Sequence, residues 1–116
     1  MIFLFISVKV TSKKRFEFEQ TMESLMDDLR TEKGCLDYIV CRNFKYPNEF
    51  CIISKWAQKK DLLNHIQLNS FGILIGAIAN LCEEDPMDIT LTASAQGLLE
   101  IELTLKKRLS NTIHPY

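Results

Sequence analysis

Residues 2–10 read IFLFISVKV, and this stretch is apolar at nearly every position instead of every second one. Successive side chains of a β-strand point to opposite faces of a sheet, so Ile2, Leu4 and Ile6 would share one face and Phe3 and Phe5 the other. A strand that is apolar on both sides is one that is covered on both sides. The stretch therefore predicts a sheet with helices against one face and a second layer against the other.

The next segment predicts an amphipathic helix. Thr11 and Ser12 are able to cap a helix, and apolar residues then recur at helical spacing up to a break near Gly34. The apolar positions are Phe18, Met22, Leu25, Met26 and Leu29. A glycine just after the last apolar position is typical of the end of a helix.

The remainder of the first 93 residues predicts a hairpin, a second helix and a fourth strand. Residues 35–43 and 49–56 have strand character and are joined by a turn that contains Pro47. Residues 58–81 return to helical period, with a break near Asn69 and Ser70, and residues 87–93 alternate as a strand. The element order is β-α-β-β-α-β.

This order is that of the ferredoxin-like α+β fold, in which both helices lie on one face of a four-stranded antiparallel sheet. The other face then has no cover of its own, although Phe3, Phe5 and Ile53 would make it apolar. An exposed apolar face of that size is rare in monomers, and two-fold self-association covers it most simply. We therefore expect a homodimer in which two sheets pack face to face.

Length and charge restrict the classes of function. A chain of 116 residues with 47% apolar and 25% charged residues corresponds to one globular domain. A net charge of −1 gives no electrostatic reason to expect nucleic acid or an anionic membrane as a partner. Small molecules or proteins remain as partners.

The N-terminal residues and the cysteines lead to expectations about the cellular location of the protein and the redox state of its thiols. The apolar run at residues 1–8 is too short for a secretory signal, which leads us to expect a cytoplasmic protein. The four cysteines show neither a C-x-x-C pair nor the spacing of a zinc site, so reduced thiols are expected. The cysteines are Cys35, Cys41, Cys51 and Cys82.

The C-terminal segment allows two interpretations. As a strand, residues 98–109 place Leu99, Ile101, Leu103 and Leu105 on one face; as a helix, they form a stripe that Glu102 interrupts. We predict the strand, paired at the dimer seam, with an amphipathic helix on its own subunit as the alternative. Residues 1–96 would then form the ferredoxin-like domain, and residues 97–116 an extension that ends in a flexible tail.

Two motifs carry a resemblance to a known family. Residues 33–38 read KGCLDY and are similar to a Pro-Gly-Cys-x-x-Tyr motif at the start of the second strand. Residues 50–56 read FCIISKW, and His65 and then Phe71 follow Trp56 at the family spacing. On these residues the segment 2–93 resembles the antibiotic biosynthesis monooxygenase domain, which belongs to the dimeric α+β barrel superfamily.

The resemblance implies a function as well as a fold. Members of this type oxidise polycyclic or quinol-like substrates with O₂ and without metal or flavin, so no cofactor is expected; others isomerise small metabolites or have no known activity. This chain departs from the family pattern at Lys33, where Pro is frequent, at Ser54, where many members have Glu, and at Ser70, where many have a second His. Those departures keep a second hypothesis open, a non-catalytic dimeric barrel that binds a metabolite or a partner protein.

The third strand and the second helix supply the candidate site. Strand alternation puts Phe50, Ser54 and Trp56 on one face, which the resemblance implies to be the interior, either as the wall of a substrate pocket or as a filled core. His65 is the candidate base that would ionise a phenol or quinol, or else it only hydrogen-bonds the backbone. Tyr38 would bind a substrate carbonyl or hold its hydroxyl at the rim.

Three further residues complete the predicted site. The resemblance brings in Phe71 beside His65, and Arg42 and Asn69 are weaker candidates for substrate binding. An arginine late in a strand and an asparagine in a helix break are more often surface or capping residues. Of all the predicted site residues, His65, Trp56 and Tyr38 are those predicted to be catalytic.

Overall fold

Within residues 1–92 and 98–113, which this computed structural model describes, the chain forms one four-stranded sheet and four α-helices. In chain order they are β1 (Ile2–Val10), α1 (Arg15–Arg30), β2 (Cys35–Arg42), β3 (Glu49–Trp56), α2 (Lys59–Gln67), α3 (Asn69–Leu81), β4 (Cys82–Thr92) and α4 (Leu98–Ile113). A single 3-10 turn at Ser12–Lys14 leads into α1.

The sheet confirms the ferredoxin-like prediction. Its strand order is β2-β3-β1-β4, and all neighbouring strands are antiparallel. β1 is central because it pairs with β3 on one side and with β4 on the other, as Ile6 does with Ile52 and with Ile89. β2 and β4 are therefore the two edge strands.

The helices cover one face of this sheet. Ile2, Leu4, Ile6 and Val8 alternate as buried residues along β1, and β3 buries every second residue from Phe50 to Trp56. Phe3 and Phe5 point to the opposite face, where they are only partly buried and stack with ring centroids 6.1 Å apart. β1 is thus apolar on both faces, as its sequence predicts, and the helices of residues 1–92 and 98–113 cover only one of them.

α1 buries the predicted stripe and ends four residues before Gly34. Phe18, Met22, Leu25 and Leu29 are buried, and the helix ends at Arg30. Gly34 has a φ of 81°, a conformation that glycine adopts without strain, and a Cβ atom at this position would overlap the carboxyl group of Asp61. This glycine therefore allows the turn before β2 to lie against the first turn of α2.

The predicted break in the second helical segment is confirmed and lies at Leu68. The axes of α2 and α3 differ by 63° there. Among the described residues no single helix is long and apolar enough to cross a membrane, and only this bent pair taken together reaches that length and composition.

The prediction of a strand at residues 98–109 is wrong, because these residues lie in α4. Ile101 and Leu105, one helical turn apart, are buried, whereas Leu103 between them is 57% exposed. A strand would have put all three on one face. The apolar surface of α2 and α3 offers a partner to one helical stripe, so tertiary packing decided the ambiguity in favour of the helix alternative.

The fourth strand is longer than predicted. It begins at Cys82, directly after α3, instead of at residue 87, and it includes Pro86. β4 pairs with β1 at Met87 and again at Cys82, and the register is irregular between these two residues. Pro86 lies in this irregular part of an edge strand, where no regular ladder hydrogen bond is needed. Ala93 lies outside the described residues, as does the side chain of Cys82.

Candidate functional site

His65 lies at the centre of a buried aromatic cluster. It belongs to the last turn of α2 and is 1% exposed. Its imidazole stacks on the indole of Trp56 at 4.5 Å between ring centroids and meets Phe71 edge-on at 4.9 Å and Tyr38 edge-on at 5.7 Å. Four of the predicted site residues therefore come together in space.

A carboxylate that the sequence did not single out completes the environment of His65. Glu32, in the turn after α1, places Oε2 at 2.7 Å and Oε1 at 3.1 Å from His65 Nδ1. The Ser70 hydroxyl donates to the same carboxylate at 3.3 Å. A carboxylate accepts and does not donate, so Nδ1 carries a proton; when the imidazole is neutral, Nε2 then has the lone pair.

Tyr38 faces that lone pair. Its hydroxyl lies 3.5 Å from His65 Nε2, at the long limit for a hydrogen bond. Burial, and secondarily the negative charge of Glu32, raise the pKa of Tyr38 far above its ordinary value. Tyr38 is therefore a neutral phenol that donates toward Nε2.

Trp56 is held by a side chain from its own strand. Its indole N–H donates to Ser54 Oγ at 2.9 Å, and both side chains are buried. Because a serine hydroxyl can accept and donate at once, Ser54 keeps its own proton for another acceptor. The pair fixes the plane of the indole on which the His65 ring stacks.

The arrangement provides one basic nitrogen backed by a carboxylate. A neutral imidazole whose Nδ1–H is bound by a carboxylate can take a proton on Nε2, and the imidazolium that results is stabilised by the carboxylate. Tyr38 lies at that same nitrogen, with its hydroxyl 3.5 Å away. The cluster is thus suited to proton transfer in a setting from which water is largely excluded.

A groove lies beside this cluster, between α1 and the edge of the sheet formed by β2 and β3. Its volume is about 430 Å³. Its apolar lining consists of Phe18, Met22, Met26, Val40 and Phe50, and its charged lining of Glu19, Glu23, Arg30 and Arg42. The groove thus combines an apolar floor with charges of both signs.

The groove contains two of the predicted substrate-binding residues. Phe50 packs on Phe18 with 5.0 Å between centroids, and Arg42 pairs with Glu19 at 3.1 Å. Phe50 and Arg42 therefore lie together, but apart from His65. Asn69 is exposed at the first position of α3 and belongs to neither group.

Tyr38 separates the groove from His65. It precedes Val40 on the same face of β2 by two residues, or about 7 Å. Arg30, on the wall of the groove, donates from Nε to the backbone carbonyl of Tyr38 at 3.1 Å. The side chain of Tyr38 is itself buried and is not part of the groove lining.

Sequence reasoning missed Glu32 and Ser70 as members of the site. Glu32 immediately precedes the KGCLDY motif at residues 33–38, and this position is the feature of the sequence that could have identified it as a site residue. From the sequence, Ser70 is only a departure from the family pattern. The contact between them joins residues 38 positions apart, which no local pattern reveals.

Comparison with known proteins gives a family and a fold. A family model described as antibiotic biosynthesis monooxygenase matches residues 1–72. A structure from Deinococcus radiodurans, assigned in its description to antibiotic biosynthesis monooxygenases, is similar with a TM-score of 0.74 at 20% identity, covering 84% of this chain and 96% of that one. Comparison with curated proteins gave no match.

Two further structures have the same fold. A conserved protein from Methanosarcina mazei aligns with a TM-score of 0.74 at 22% identity over 80% of this chain and 91% of its own. A protein of unknown function from Bacteroides thetaiotaomicron, described as a possible oxidoreductase, aligns with a TM-score of 0.71 at 23% identity over 78% and 94%. In each comparison the neighbour is matched almost completely, while about a sixth to a fifth of this chain is left over.

Proposed function

This chain belongs to the antibiotic biosynthesis monooxygenase family, and from that membership we propose that it is a cofactor-independent monooxygenase acting on a small aromatic or quinol-like molecule. The observation that carries the proposal is the chain of Glu32, His65 and Tyr38. A buried imidazole with a carboxylate 2.7 Å from Nδ1 and a phenol at Nε2 is the equipment of a general base.

These hydrogen-bonded side chains also compensate for the departures from the family pattern. Ser54 and Ser70 stand where many members have Glu and a second His. Here Glu32 supplies a carboxylate to His65 Nδ1, and Ser70 donates to that carboxylate at 3.3 Å. The loss of two ionisable family positions therefore leaves His65 with a charged partner.

The reaction would proceed through proton and electron transfer to O₂. His65 Nε2, directly or through Tyr38, takes the proton of a phenol or quinol. The electron-rich anion passes one electron to O₂, and the resulting radical and superoxide combine at carbon to give a peroxide. The peroxide takes a proton and loses water, so that a CH₂ group and O₂ become C=O and H₂O.

The substrate would bind where the groove approaches Tyr38. Phe50 and Arg42 line the groove, while Trp56, Ser54 and Phe71 form the wall behind His65. Apolar walls with few polar groups are the usual composition of a small-molecule site. Asn69, which is exposed at the start of α3, would contact substrate only at the outer rim.

Oxygen uptake on a panel of quinols and anthrones tests the proposal. His65→Ala and the bulkier His65→Gln should lower kcat about a hundredfold or more because the base is lost. Glu32→Gln should lower it about tenfold to a hundredfold, because an amide can donate to Nδ1 and thereby favour the tautomer that blocks Nε2. Asn64→Ala, an exposed position on the same helix, is the matched control.

Equal uptake by wild type and the two His65 variants, all verified as folded by circular dichroism, would contradict the proposal.

A second candidate function is a non-catalytic barrel that binds a metabolite or a partner protein. It is favoured by the separation of the groove from His65, which is only 1% exposed. On this hypothesis the same panel would raise the Tm of wild type and of His65→Gln equally, with no oxygen uptake in either. Arg42→Ala, in the groove, would remove that shift.

The assembly and the location belong to the same proposal. We expect a homodimer formed through the helix-free sheet face and a cytoplasmic protein of one domain at residues 1–96, to which residues 97–116 are an extension. The unpaired thiols of Cys35, Cys41 and Cys51 support a reducing compartment.

A further inference from the structure

α4 is attached to α2 and α3 by both apolar and charged contacts. Ile101 and Leu105 enter the core, and Leu109, one turn further, packs against it. Glu100 in the first turn of α4 pairs with Lys59, the first residue of α2, at 2.8 Å. The helix therefore crosses the pair and reaches the break between them with its last turns.

Arg108 makes the contact at the break. Its Nη2 donates to the backbone carbonyl of Leu68 at 3.1 Å. That carbonyl also accepts from the amide of Gly72, at 3.2 Å, in the first turn of α3. Because Arg108 is charged, its bond to the carbonyl is stronger than one between neutral groups.

Gly72 provides the space that the guanidinium occupies. A Cβ atom at position 72 would overlap Arg108 Nη2 and lie 3.4 Å from Cζ. Glycine is otherwise unfavourable within a helix because it loses more conformational freedom than alanine. Its presence in the first turn of α3 therefore fits the passage of Arg108 across this turn.

The break that Arg108 contacts also sets the geometry of the aromatic cluster. Leu68 is the only residue between α2 and α3, and its amide donates to the carbonyl of His65 at 3.1 Å. His65 lies three residues before it, Phe71 three residues after it, and the rings of the two are 4.9 Å apart. A change in the angle between the helices would separate His65 from Phe71 and Ser70 from Glu32.

We propose that Arg108 is a positioning residue, through which α4 clamps the break at Leu68 and holds His65 against Phe71 and Glu32. The consequence for turnover rests on the proposed function; the geometric claim does not. The family model ends at residue 72, so Arg108 lies outside the segment that it matches.

Nuclear magnetic resonance of the His65 ring protons tests the geometry without any substrate. Ring currents of Trp56 and Phe71 shift these resonances, so they report the position of the imidazole in the folded protein. His65→Gln separates the signal from that of His114. Arg108→Met should move it, whereas Lys107→Met, an exposed position on the same helix, should leave it in place.

A double-mutant cycle identifies the contact. Gly72→Ala should displace the guanidinium and move the same resonances, and adding it to Arg108→Met should cause no further change, because both substitutions remove the same bond between Arg108 and Leu68. If wild type shows turnover in the monooxygenase assay, Arg108→Met should lower kcat about tenfold, because a small displacement of the base His65 slows the reaction.

Unmoved His65 resonances in folded Arg108→Met, even with a lower Tm, would overturn the proposal, because a merely stabilising arginine has that effect. Additive shifts in the double mutant would overturn it as well. Absence of oxygen uptake in wild type would instead count against the proposed function, and the resonance measurements would still decide the clamp.

Discussion

At the scale of single residues, Tyr38 shows how burial changes a side chain that the sequence offers in two roles. The sequence left open whether its hydroxyl would bind substrate or lie at the rim. In the structure it is 0% exposed and directed to His65 Nε2. A buried phenol near a carboxylate resists ionisation, and this property is measurable as a dependence of stability on pH.

Tyr38 should make the folded protein less stable at alkaline pH. Its pKa is raised in the folded state, so above its ordinary value of 10 the unfolded chain releases a proton that the folded chain keeps. Fewer protons on the unfolded state mean that stability falls as pH rises, by up to about 1.4 kcal/mol per pH unit. Urea unfolding from pH 8 to 11 should show this extra slope in wild type and not in Tyr38→Phe.

Other groups titrate in the same range, so the comparison needs a matched variant. Tyr46→Phe removes the hydroxyl of a half-exposed tyrosine and should retain the wild-type slope. If Tyr38→Phe and wild type lose stability in parallel above pH 10, the buried phenol does not resist ionisation as described.

At the scale of elements, α4 and α3 show where periodicity is decisive and where it is not. The spacing in residues 58–81 was that of a helix alone, and the break within it was visible from Asn69 and Ser70. Residues 98–109 alternate almost as well with period two as with helical period. The apolar surface of α2 and α3, on which this segment packs, decided between the strand and the helix.

Alanine substitutions in α4 test the helical assignment in solution. Leu105→Ala should cost about 2–5 kcal/mol in the free energy of unfolding, because this side chain is 3% exposed and its removal leaves a cavity. Leu103→Ala, at a position that is 57% exposed, should change it by no more than about 0.5 kcal/mol. Denaturant unfolding measures both; similar losses would indicate one common face, as in a strand.

At the scale of the whole molecule, the helix-free sheet face is the feature that a single chain leaves unexplained. Phe3 and Phe5 stack there, the amine of Lys55 lies 5.7 Å from the Phe3 ring, and Ile39 is 38% exposed. A second copy with the same face would bury these apolar groups by two-fold symmetry. This is the basis on which a homodimer is proposed.

Phe5→Asp should dissociate the dimer. An aspartate at the centre of the sheet face would be buried without a partner on association, which costs several kcal/mol. Light scattering after size exclusion should give the dimer mass for wild type and the monomer mass for the variant. Phe16→Asp, the same substitution at a phenylalanine 70% exposed on α1, should remain dimeric. A stable wild-type monomer in dilute solution would refute the homodimer.

The sequence by itself determined the element order, the two apolar faces of β1 and the aromatic members of the site. These follow from local periodicity and from motifs whose residues lie within a few positions of one another, such as residues 33–38 and 50–56. His65, Trp56, Tyr38, Ser54 and Phe71 were predicted as site residues with the help of the family resemblance that these motifs carry. The sequence did not decide whether these positions form the wall of a pocket or a filled core.

Tertiary structure alone decided which distant residues meet. Glu32 reaches His65 across 33 positions, and Arg108 reaches Leu68 across 40. It likewise moved Phe50 and Arg42 to a groove apart from His65 and turned residues 98–109 into a helix. Such contacts depend on how elements pack and on the surface each leaves to the next, and the pattern within one element does not contain that information.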